Sequence, residues 1–318
     1  MRFSACEPDL TAVYKSCELC PRACRVDRTH GSPGICGETD QLRVAHVGPH
    51  FGEEPPITGT HGSGAVFFSG CGLQCVFCQN HQISRGGMGE TLGLHQLIEK
   101  TKQMILEKEV HNLNFVTPDH FMPHTVRVVS HLRRENLNLP TVYNFSGYQS
   151  VDALKSLERY ADIYLPDFKY SDSALAKQLS RCTDYPQRAI TAISEMVKQK
   201  GFLDCLFSGA ALASKGVLVR HLILPGAMEN SINALTTLFI EFGANLPVSL
   251  MSQYHPVVHH DDPALNRTIT DQEFKSVYDH ARQLGFEHMF VQFPEPHPDR
   301  SPDRPSLLPD FKNKQPFG

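Results

Sequence analysis

A regular alternation of short apolar segments with longer helical ones is the feature that most constrains the fold of this chain. Apolar runs that end at Gly, Pro or polar residues predict six strands, at residues 65–68, 114–118, 141–145, 161–168, 217–224 and 248–254. Helical periodicity lies between and after them, at residues 94–110, 125–134, 151–160, 175–200, 232–242 and 271–284. This alternation predicts an α/β fold with parallel strands and right-handed crossovers, although connectivity alone does not separate an open sheet from a barrel.

Length and composition indicate one large domain with two appendages. The chain has 318 residues, of which 41% are apolar, enough to build a substantial core. We assign residues 1–58 to a small Cys-rich module and connector, and residues 59–293 to the α/β domain. Residues 294–318 are rich in Pro and predict an extended or disordered tail.

Charge and hydropathy exclude several classes of partner. The net charge of −4 and the pI of about 6.5 indicate no basic face for nucleic acid. No segment reaches the roughly 18 apolar residues that a membrane span needs. The N-terminus, Met-Arg-Phe-Ser-Ala-Cys-Glu-Pro, has no apolar run of the kind found in signal peptides. We therefore expect a cytoplasmic protein with neither a nucleic-acid nor a membrane partner.

Three cysteines follow the first predicted strand. Cys71, Cys75 and Cys78 are spaced C-x3-C-x2-C, and the next cysteine along the chain is Cys182. Ten Cys in an unsecreted chain of this size indicate metal rather than disulfides. Three thiolates on an iron–sulfur cluster would leave one iron open, and an open position marks a catalytic metal site. Electron-transfer clusters instead carry four Cys.

Four further cysteines form a group near the N-terminus. Cys17, Cys20, Cys24 and Cys36 are spaced C-x2-C-x3-C-x11-C, with Pro and Gly between them. This spacing in a loop predicts a small metal-binding module, for which zinc and a second [4Fe–4S] cluster are both open. The alternative is four reduced thiols packed in a core, but loops this polar offer little core in which to bury them.

Polar and ionisable residues recur where the predicted strands end. After the cysteine loop they occur at residues 117–120, 144–147, 167–169, 220–221 and 254–255. Ligands of α/β folds bind at the carboxyl ends of the strands, so these residues are candidates for a shared site. Each alone is explained as a solvated loop residue, or as a structural ion pair for Asp167 and Lys169. Their coincidence at successive strand ends favours function.

The cysteine motif at the end of a first strand resembles that of the radical S-adenosylmethionine (SAM) superfamily. Over residues 62–290 the chain is most similar to the pyruvate formate-lyase activating enzymes. The similarity is carried by Asp167-Phe168-Lys169, by Tyr254-His255 and by the strand that ends in Leu224-Pro225-Gly226. The N-terminal sequence Cys-Glu-Leu-Cys-Pro-Arg-Ala-Cys resembles an activase-like subgroup of unassigned substrate.

This resemblance implies a fold, a reaction and partners. The fold is a partial (β/α)6 barrel, and Cys71, Cys75 and Cys78 hold a catalytic [4Fe–4S] cluster. The reduced cluster cleaves SAM to a 5′-deoxyadenosyl radical, which abstracts hydrogen from a protein or peptide substrate. A glycyl-radical enzyme is among the candidate substrates, and flavodoxin or ferredoxin supplies the electron.

The resemblance also implies which residues bind SAM. Asp167 and Lys169 match a SAM-binding pair, and His255 matches a histidine that contacts SAM. Thr117, Asn144 and Ser146 lie at the other strand ends and complete the predicted set. Two departures stand out: the family's Gly-Gly-Glu is Thr117-Pro118-Asp119 here, and its Asp-Thr-Asn-Gly is Asn144-Phe145-Ser146-Gly147. The second departure removes the carboxylate of a cation site.

Other functions remain as alternatives. The runner-up keeps the radical SAM chemistry but modifies a small molecule or adds a methyl group. In a different class, a binding or scaffold protein would use zinc at both cysteine groups, with His81 completing C-x3-C-x2-C-x2-H. The apolar strand before the motif and the β/α pattern after it favour the radical enzymes.

Overall fold

The computed structural model describes residues 10–294 and 308–317. Its strands are β1 Leu42–His50, β2 Ser63–Phe68, β3 Glu90–Leu92, β4 Leu113–Val116, β5 Thr141–Phe145, β6 Ile163–Pro166, β7 Gly216–Val217, β8 Val219–Leu222, β9 Val248–Met251 and β10 Met289–Val291. Its α-helices are α1 Pro55–Thr58, α2 His81–Ser84, α3 Leu94–Lys108, α4 Met122–Arg134, α5 Val151–Leu157, α6 Ser173–Ser180, α7 Tyr185–Lys200, α8 Cys205–Ser208, α9 Met228–Phe242 and α10 Asp271–Leu284. Short 3-10 helices cover Leu10–Tyr14, Arg28–His30, Asp119–Phe121 and Pro263–Asn266. Within the described ranges, no helix is long and apolar enough to cross a membrane.

Parallel strands in chain order form the centre of the fold. The larger sheet has the order β3-β1-β2-β4-β5-β6-β7, and each neighbouring pair from β2 to β7 is parallel. A second parallel sheet has the order β10-β9-β8, and a bridge between Asp167 and Arg220 joins it to the end of β6. A parallel order that never reverses is that of a barrel, whereas doubly wound sheets reverse at a switch point. The predicted α/β fold with a partial barrel is confirmed.

Burial explains why these segments form strands and helices. Every residue of β2, β4 and β6 is buried, as expected for parallel strands with both faces covered. The helices are amphipathic and turn their apolar faces to the sheet, as α10 does with Phe274, Val277 and Ala281. Thr270 caps the start of α10, its hydroxyl accepting a hydrogen bond from Glu273 N at 3.2 Å.

The segment assigned to the Cys-rich module and connector also contributes a strand to the sheet. β1 runs antiparallel to β2, with a register shift between Val44 and His46. The sequence did not indicate this strand, because its buried positions do not follow a regular period of two and because Pro49 lies near its end. The division of the chain at residue 58 therefore stays a prediction, with β1 extending the sheet into the N-terminal part.

The end of the chain packs onto the same region of the sheet. Residues 295–307 of the predicted tail lie outside the described residues. Within 308–317, the ring of Phe317 lies 5.1 Å from that of Phe67 and the ring of Phe311 lies 5.6 Å from it. The prediction of an extended or disordered tail is therefore wrong for residues 308–317. Two aromatic side chains find an apolar surface there that the composition of the tail does not reveal.

The loops after β5 and β6 approach so closely that one position requires glycine. Gly147 has a φ of +81°, and a Cβ atom there would overlap the Asp167 carbonyl oxygen and lie 2.8 Å from the Tyr185 hydroxyl. We expect Gly147→Ala to lower the free energy of unfolding by about 3 kcal/mol or more, from the clash and the left-handed backbone together. Urea unfolding of the purified variant measures this.

Gly201→Ala is the matched control for this prediction. Gly201 has a φ of +71°, but nothing lies within 4 Å of its Cβ position. The control therefore carries the backbone strain without the clash and should cost only about 1 kcal/mol. Equal unfolding midpoints for the two variants would contradict the close approach of the two loops.

Candidate iron–sulfur centre

A cavity of about 1820 Å³ opens at the carboxyl ends of the parallel strands. Its wall is formed by the loop after β2, by the strand ends and by the segment that follows β1. All the residues predicted for the catalytic and SAM sites line it: Cys71, Cys75, Cys78, Thr117, Asn144, Ser146, Asp167, Lys169 and His255. The fold thus brings residues from five strand ends to one cavity wall, while their individual roles stay predictions.

Backbone contacts hold the loop that carries the three cysteines, which we call the cluster loop (residues 69–80). Cys71 N donates to the Cys36 carbonyl at 3.0 Å, and Val76 N donates to the Leu179 carbonyl at 2.9 Å. Gln74 has a φ of +49°, a left-handed conformation that is uncommon for residues with a side chain. Backbone strain of this kind concentrates at functional sites.

The surroundings of the three thiols fit a bound metal group. Burial, followed by repulsion from Cys75, raises the pKa of the Cys71 and Cys78 thiols. The Ser180 hydroxyl donates to Cys75 Sγ at 3.0 Å. Three neighbouring thiols, of which Cys75 is buried and Cys71 and Cys78 are half-buried, repel one another when ionised and need a nearby positive charge. A bound metal supplies that charge and deprotonates its thiol ligands outright.

The arrangement of these thiols suits a cluster better than a single ion. Among residues 10–294 and 308–317, no three His, Cys, Asp or Glu side chains are placed to bind one metal ion together. Thiolates on one zinc ion each lie about 2.3 Å from it and are therefore crowded together. Thiolates on a four-iron cluster bind different irons and stand farther apart. The geometry therefore does not support the zinc site completed by His81.

An ion pair between Lys169 and Asp167 lies in the cavity wall after β6. Burial alone would lower the pKa of Lys169, but Asp167, followed by Cys75, raises it above its ordinary value. Lys169 therefore keeps its charge inside the cavity. The Tyr185 hydroxyl fixes the backbone around the pair, since it accepts from Lys169 N at 3.0 Å and lies 2.9 Å from the carbonyl oxygens of Asp167 and Ser146.

The strand end that carries His255 is anchored by its neighbour. The Tyr254 hydroxyl donates to the Leu265 carbonyl at 2.7 Å, and the Tyr254 ring lies 6.3 Å from that of Phe77 in the cluster loop. His255 itself lines the cavity. This aromatic contact therefore couples the position of His255 to that of the cysteines.

Thr117 and Asp119 lie where the sequence departs from the family's Gly-Gly-Glu, and their surroundings show the structural effect of that departure. Thr117 has a φ of +54°, which a β-branched residue rarely adopts, and its N–H donates to the Asn144 carbonyl at 3.0 Å. Asp119 is 5% exposed and is not part of the cavity wall. Its carboxylate accepts a hydrogen bond from Gln149, and burial raises its pKa to about 6. The Glu of the family's Gly-Gly-Glu therefore has no counterpart on the wall here.

The sequence did not reveal an ionic cluster in the cavity wall. Arg220 on β8 donates to Glu53 and Glu54, with its Nε 2.9 Å from Glu54 Oε1. Asn114 Nδ2 donates to Glu53 Oε1 at 2.8 Å, and Asn144 Nδ2 lies 3.5 Å from the same oxygen. Buried charges persist only when paired in this way. Sequence spacing gives no signal for this pairing, because Glu53 and Arg220 are 167 positions apart.

The four N-terminal cysteines, which we call the quartet, lie against the cluster loop rather than in the cavity wall. Cys17 and Cys36 are buried, Cys20 and Cys24 are half-buried, and all four are free thiols. A Cβ added at Gly72 of the cluster loop would lie 3.6 Å from Cys20 Sγ. The metal assigned to the quartet stays a prediction, but its place next to the cluster loop is a feature of the fold.

Comparison with known proteins supports an iron–sulfur assignment for the cluster loop. A family model described as a 4Fe-4S single cluster domain matches residues 58–189, which include Cys71, Cys75 and Cys78. The cofactor that this match indicates is a [4Fe–4S] cluster. An uncharacterized protein of Methanocaldococcus jannaschii is 26% identical over 284 residues, which cover 87% of this chain and 78% of that protein.

Several solved structures are similar at low identity. Streptococcus suis SuiB bound to S-adenosylmethionine has a TM-score of 0.47 and 12% identity, and the match covers 70% of this chain and 48% of SuiB, about half its length. A domain of the pyruvate-formate lyase-activating enzyme from Bacteroides vulgatus has a TM-score of 0.37 and 10% identity over 54% of this chain and 93% of that domain. Methylornithine synthase has a TM-score of 0.41 and 16% identity over 70% of this chain and 68% of that protein. All three TM-scores lie below 0.5 and assign no function to this chain.

His221 on β8 makes the stability of the folded protein depend on pH. It is fully buried, its Nδ1 donates to the Phe168 carbonyl at 2.6 Å, and burial lowers its pKa to about 4. Below the ordinary pKa of 6.5, the unfolded chain takes up a proton that the folded protein resists down to about pH 4. Stability therefore falls as the pH falls through this window. The contribution lost reaches about 3 kcal/mol, at about 1.4 kcal/mol per pKa unit.

We predict that His221→Asn removes this part of the acid sensitivity. Asn keeps a donor near the Nδ1 position but does not titrate. Between pH 7 and pH 4, the free energy of unfolding of the variant should fall by about 3 kcal/mol less than that of the wild type. Urea unfolding at several pH values measures the difference, and His95→Asn at an exposed position of α3 should follow the wild type. Parallel curves for wild type and His221→Asn would contradict the neutral burial of His221.

Proposed function

We propose that this chain is a radical SAM enzyme, an oxidoreductase that abstracts hydrogen from a protein or peptide. The observation that carries the proposal is the convergence of three thiols and six predicted SAM ligands on one cavity wall; all of them except His255 lie in the segment that matches a 4Fe-4S family. Cys71, Cys75 and Cys78 hold the cluster. With only three protein thiolates, one iron of a [4Fe–4S] cluster remains open to a further ligand.

In this proposal the strand ends bind SAM next to the cluster loop. Lys169, kept charged by Asp167, supplies a fixed cation for the SAM carboxylate. Asn144, Ser146 and His255 offer polar groups to the rest of the molecule, and Thr117 shapes the wall through its strained backbone. Because the Lys169–Asp167 pair is formed before any ligand binds, little reorganisation accompanies binding.

The protein's own part in the reaction is to bind, orient and exclude water. When bound, the reduced cluster supplies the electron that cleaves SAM to a 5′-deoxyadenosyl radical, which takes hydrogen from the substrate. His46, His50, Phe67 and Phe317 form one side of the cavity, and the rings of Phe317 and His50 lie 4.3 Å apart. Burial lowers the pKa of His46 to about 4, so this wall is uncharged at pH 7. An uncharged aromatic wall keeps water away from a reactive intermediate.

The size and charge of the cavity support a second, larger substrate beside SAM. Its volume of about 1820 Å³ exceeds the ~300–1,000 Å³ that is usual for small-molecule sites. Carboxylates outnumber cations on its wall: Glu53, Glu54, Asp167 and Asp271 against Lys169 and Arg220. We therefore propose a protein or peptide segment as substrate, with a glycyl-radical enzyme among the candidates.

The electron donor and the compartment follow from the same chemistry. A cluster that cleaves SAM needs a one-electron donor, and we propose a small protein of the flavodoxin or ferredoxin class. Every cysteine among the described residues is a free thiol. Free thiols in this number are typical of a reducing compartment, which supports a cytoplasmic location.

The decisive experiment follows the fate of SAM. Reduced, cluster-loaded protein is incubated anaerobically with SAM and a candidate partner protein. Formation of 5′-deoxyadenosine together with a radical on the partner supports the proposal. A modified small molecule or a methylated product would replace it with the alternative reading of the same radical chemistry. A colourless protein that contains zinc and leaves SAM intact would make it a binding protein instead.

We predict that each cysteine of the cluster loop is needed for one cluster. Cys71→Ala, Cys75→Ala or Cys78→Ala should lower the iron content by about four atoms per chain and remove the matching share of visible absorption. Cys205→Ala, at a buried cysteine of α8 outside both groups, is the control and should keep its iron. Unchanged iron in a variant with all three replacements would contradict the assignment.

We predict that Lys169 and His255 contribute to SAM affinity. Lys169→Met and His255→Ala should each weaken SAM binding by about tenfold or more, as expected for loss of a charged or polar contact. Anaerobic calorimetry on cluster-loaded protein measures this, with iron content checked in each variant. Lys177→Met, exposed on α6, is the control for charge. The double variant Asp167→Asn/Lys169→Met, which leaves no unpaired buried charge, separates binding from folding. Unchanged affinity in both single variants would remove these residues from the SAM site.

A further inference from the structure

The quartet and the cluster loop both contain residues with left-handed backbone conformation next to a cysteine. Ala23 and Arg25, with φ of +39° and +54°, flank Cys24 in the left-handed region. Gln74, next to Cys75, has a φ of +49°. Residues with side chains rarely adopt this conformation, and such strain concentrates at functional sites. Both cysteine loops are therefore shaped by local strain rather than by regular structure.

Two thiols of the quartet face one space, next to Gly34. A Cβ atom at Gly34 would lie 3.3 Å from Cys36 Sγ and 3.5 Å from Cys24 Sγ. Yet in the part of the chain that the structure describes, no three metal-ligating side chains are placed for a single ion. Thiols that are not placed for one zinc ion are consistent with a four-iron cluster, whose thiolates bind different irons.

A buried cation lies beside the quartet and favours negative charge there. The Arg28 side chain is fully buried, and its guanidinium donates to the carbonyls of Glu38, Thr39 and His120 at 3.1, 2.5 and 2.9 Å. Its Nη1 also lies 3.6 Å from Cys17 Sγ. Because carbonyls solvate a cation but do not neutralise it, the guanidinium stabilises anionic thiolate ligands nearby.

The quartet is joined directly to the cluster loop. The Cys36 carbonyl accepts the Cys71 N–H at 3.0 Å, so a ligand of one group is hydrogen-bonded to a ligand of the other. Arg22 Nε donates to the Gly72 carbonyl at 2.9 Å, and Gln74 Nε2 donates to the Ile35 carbonyl at 2.9 Å. These three contacts hold the two cysteine loops face to face.

Cys17 and Cys36 are buried and Cys20 and Cys24 are half-buried, but the protein surface is close to the quartet at Ile35. Ile35, next to Cys36, is 48% exposed, whereas the cluster loop cysteines line the inner cavity. A small electron-donor protein can approach the quartet from outside without entering the cavity. The quartet thus lies between the surface and the site where SAM is proposed to bind.

We propose that Cys17, Cys20, Cys24 and Cys36 hold a second [4Fe–4S] cluster that relays electrons to the cluster on Cys71, Cys75 and Cys78. This inference rests on the proposed function and adds the electron route to it. A donor protein of the flavodoxin or ferredoxin class gives one electron to the quartet cluster. That electron passes to the inner cluster and the quartet cluster returns to its oxidised state, with no bond made or broken at either step. Four thiolates close the coordination of the quartet cluster, which suits electron transfer and leaves no position for SAM.

Iron content tests whether the second cluster exists. Anaerobically reconstituted wild type should carry about eight irons per chain and Cys24→Ser about four, while the control Cys205→Ala should match the wild type. The wild type alone gives a second measurement that does not depend on the folding of a variant. On full reduction, its electron paramagnetic resonance spectrum should show two paramagnetic clusters broadened by mutual spin coupling. Zinc at the quartet, or about four irons in the wild type with an unbroadened signal, would overturn the inference.

Reduction kinetics test the relay. Reduced flavodoxin should reduce the inner cluster of Cys24→Ser at least about tenfold more slowly than that of the wild type, because the intermediate acceptor is missing. Dithionite, a small reductant, should still reduce it, and SAM affinity should be unchanged. Equal rates with flavodoxin in wild type and variant would overturn the relay. Failure of the proposed function is a separate result, in which dithionite-reduced wild type with its inner cluster loaded leaves SAM intact.

Discussion

The pairing of charges in the cavity wall is the constraint on which the rest of the site depends. Removing one partner of a buried ion pair costs about 3–5 kcal/mol, so the cations of the wall need their carboxylates. Lys169 pairs with Asp167 from its own strand end, and Arg220 pairs with Glu53 and Glu54 from the segment after β1. Asp167 and Arg220 are also bridged through the backbone, where the two sheets meet. The contact that joins the two sheets therefore also positions the charged side chains. As a result, the cavity is preorganised for an ionic ligand.

The same constraint explains why the N-terminal part of the chain cannot be a loose appendage. Glu53 and Glu54 follow β1, the strand that pairs antiparallel with β2, and both accept hydrogen bonds from Arg220 on β8. Further upstream, the Cys36 carbonyl accepts the Cys71 N–H. Loss of the N-terminal part would therefore expose a buried Arg and leave an N–H of the cluster loop without its partner. The N-terminal part completes both the charge pairing and the shape of the cluster loop.

How much of the structure could be predicted from the sequence depends on how far apart along the chain the interacting residues lie. The six strands and the helices between them were visible because apolar periodicity is local, and the candidate site residues at strand ends followed from chain order alone. The cysteine loop and Lys169 were found in this way, and the structure brings them to one cavity wall. Glu53 was missed because its partner Arg220 is 167 positions away. β1 was missed because its burial alternates irregularly, and residues 308–317 because two rings, Phe311 and Phe317, decide their packing.

The cluster loop has chemically different surroundings on its two sides, and this asymmetry suits a reaction that needs electrons but must exclude water. Its inner side faces a cavity closed by aromatic rings, among them Phe317 from the end of the chain. Gln82, on the helix directly after the loop, holds that end in place by donating to Asp310 Oδ1 at 2.9 Å. Its outer side is covered by the quartet, where the charged Arg28 side chain lies over the rings of Tyr14 and Phe121, 4.5 and 5.6 Å from their centroids. In the proposed relay, an electron enters through the outer side while the proposed radical chemistry takes place on the inner one.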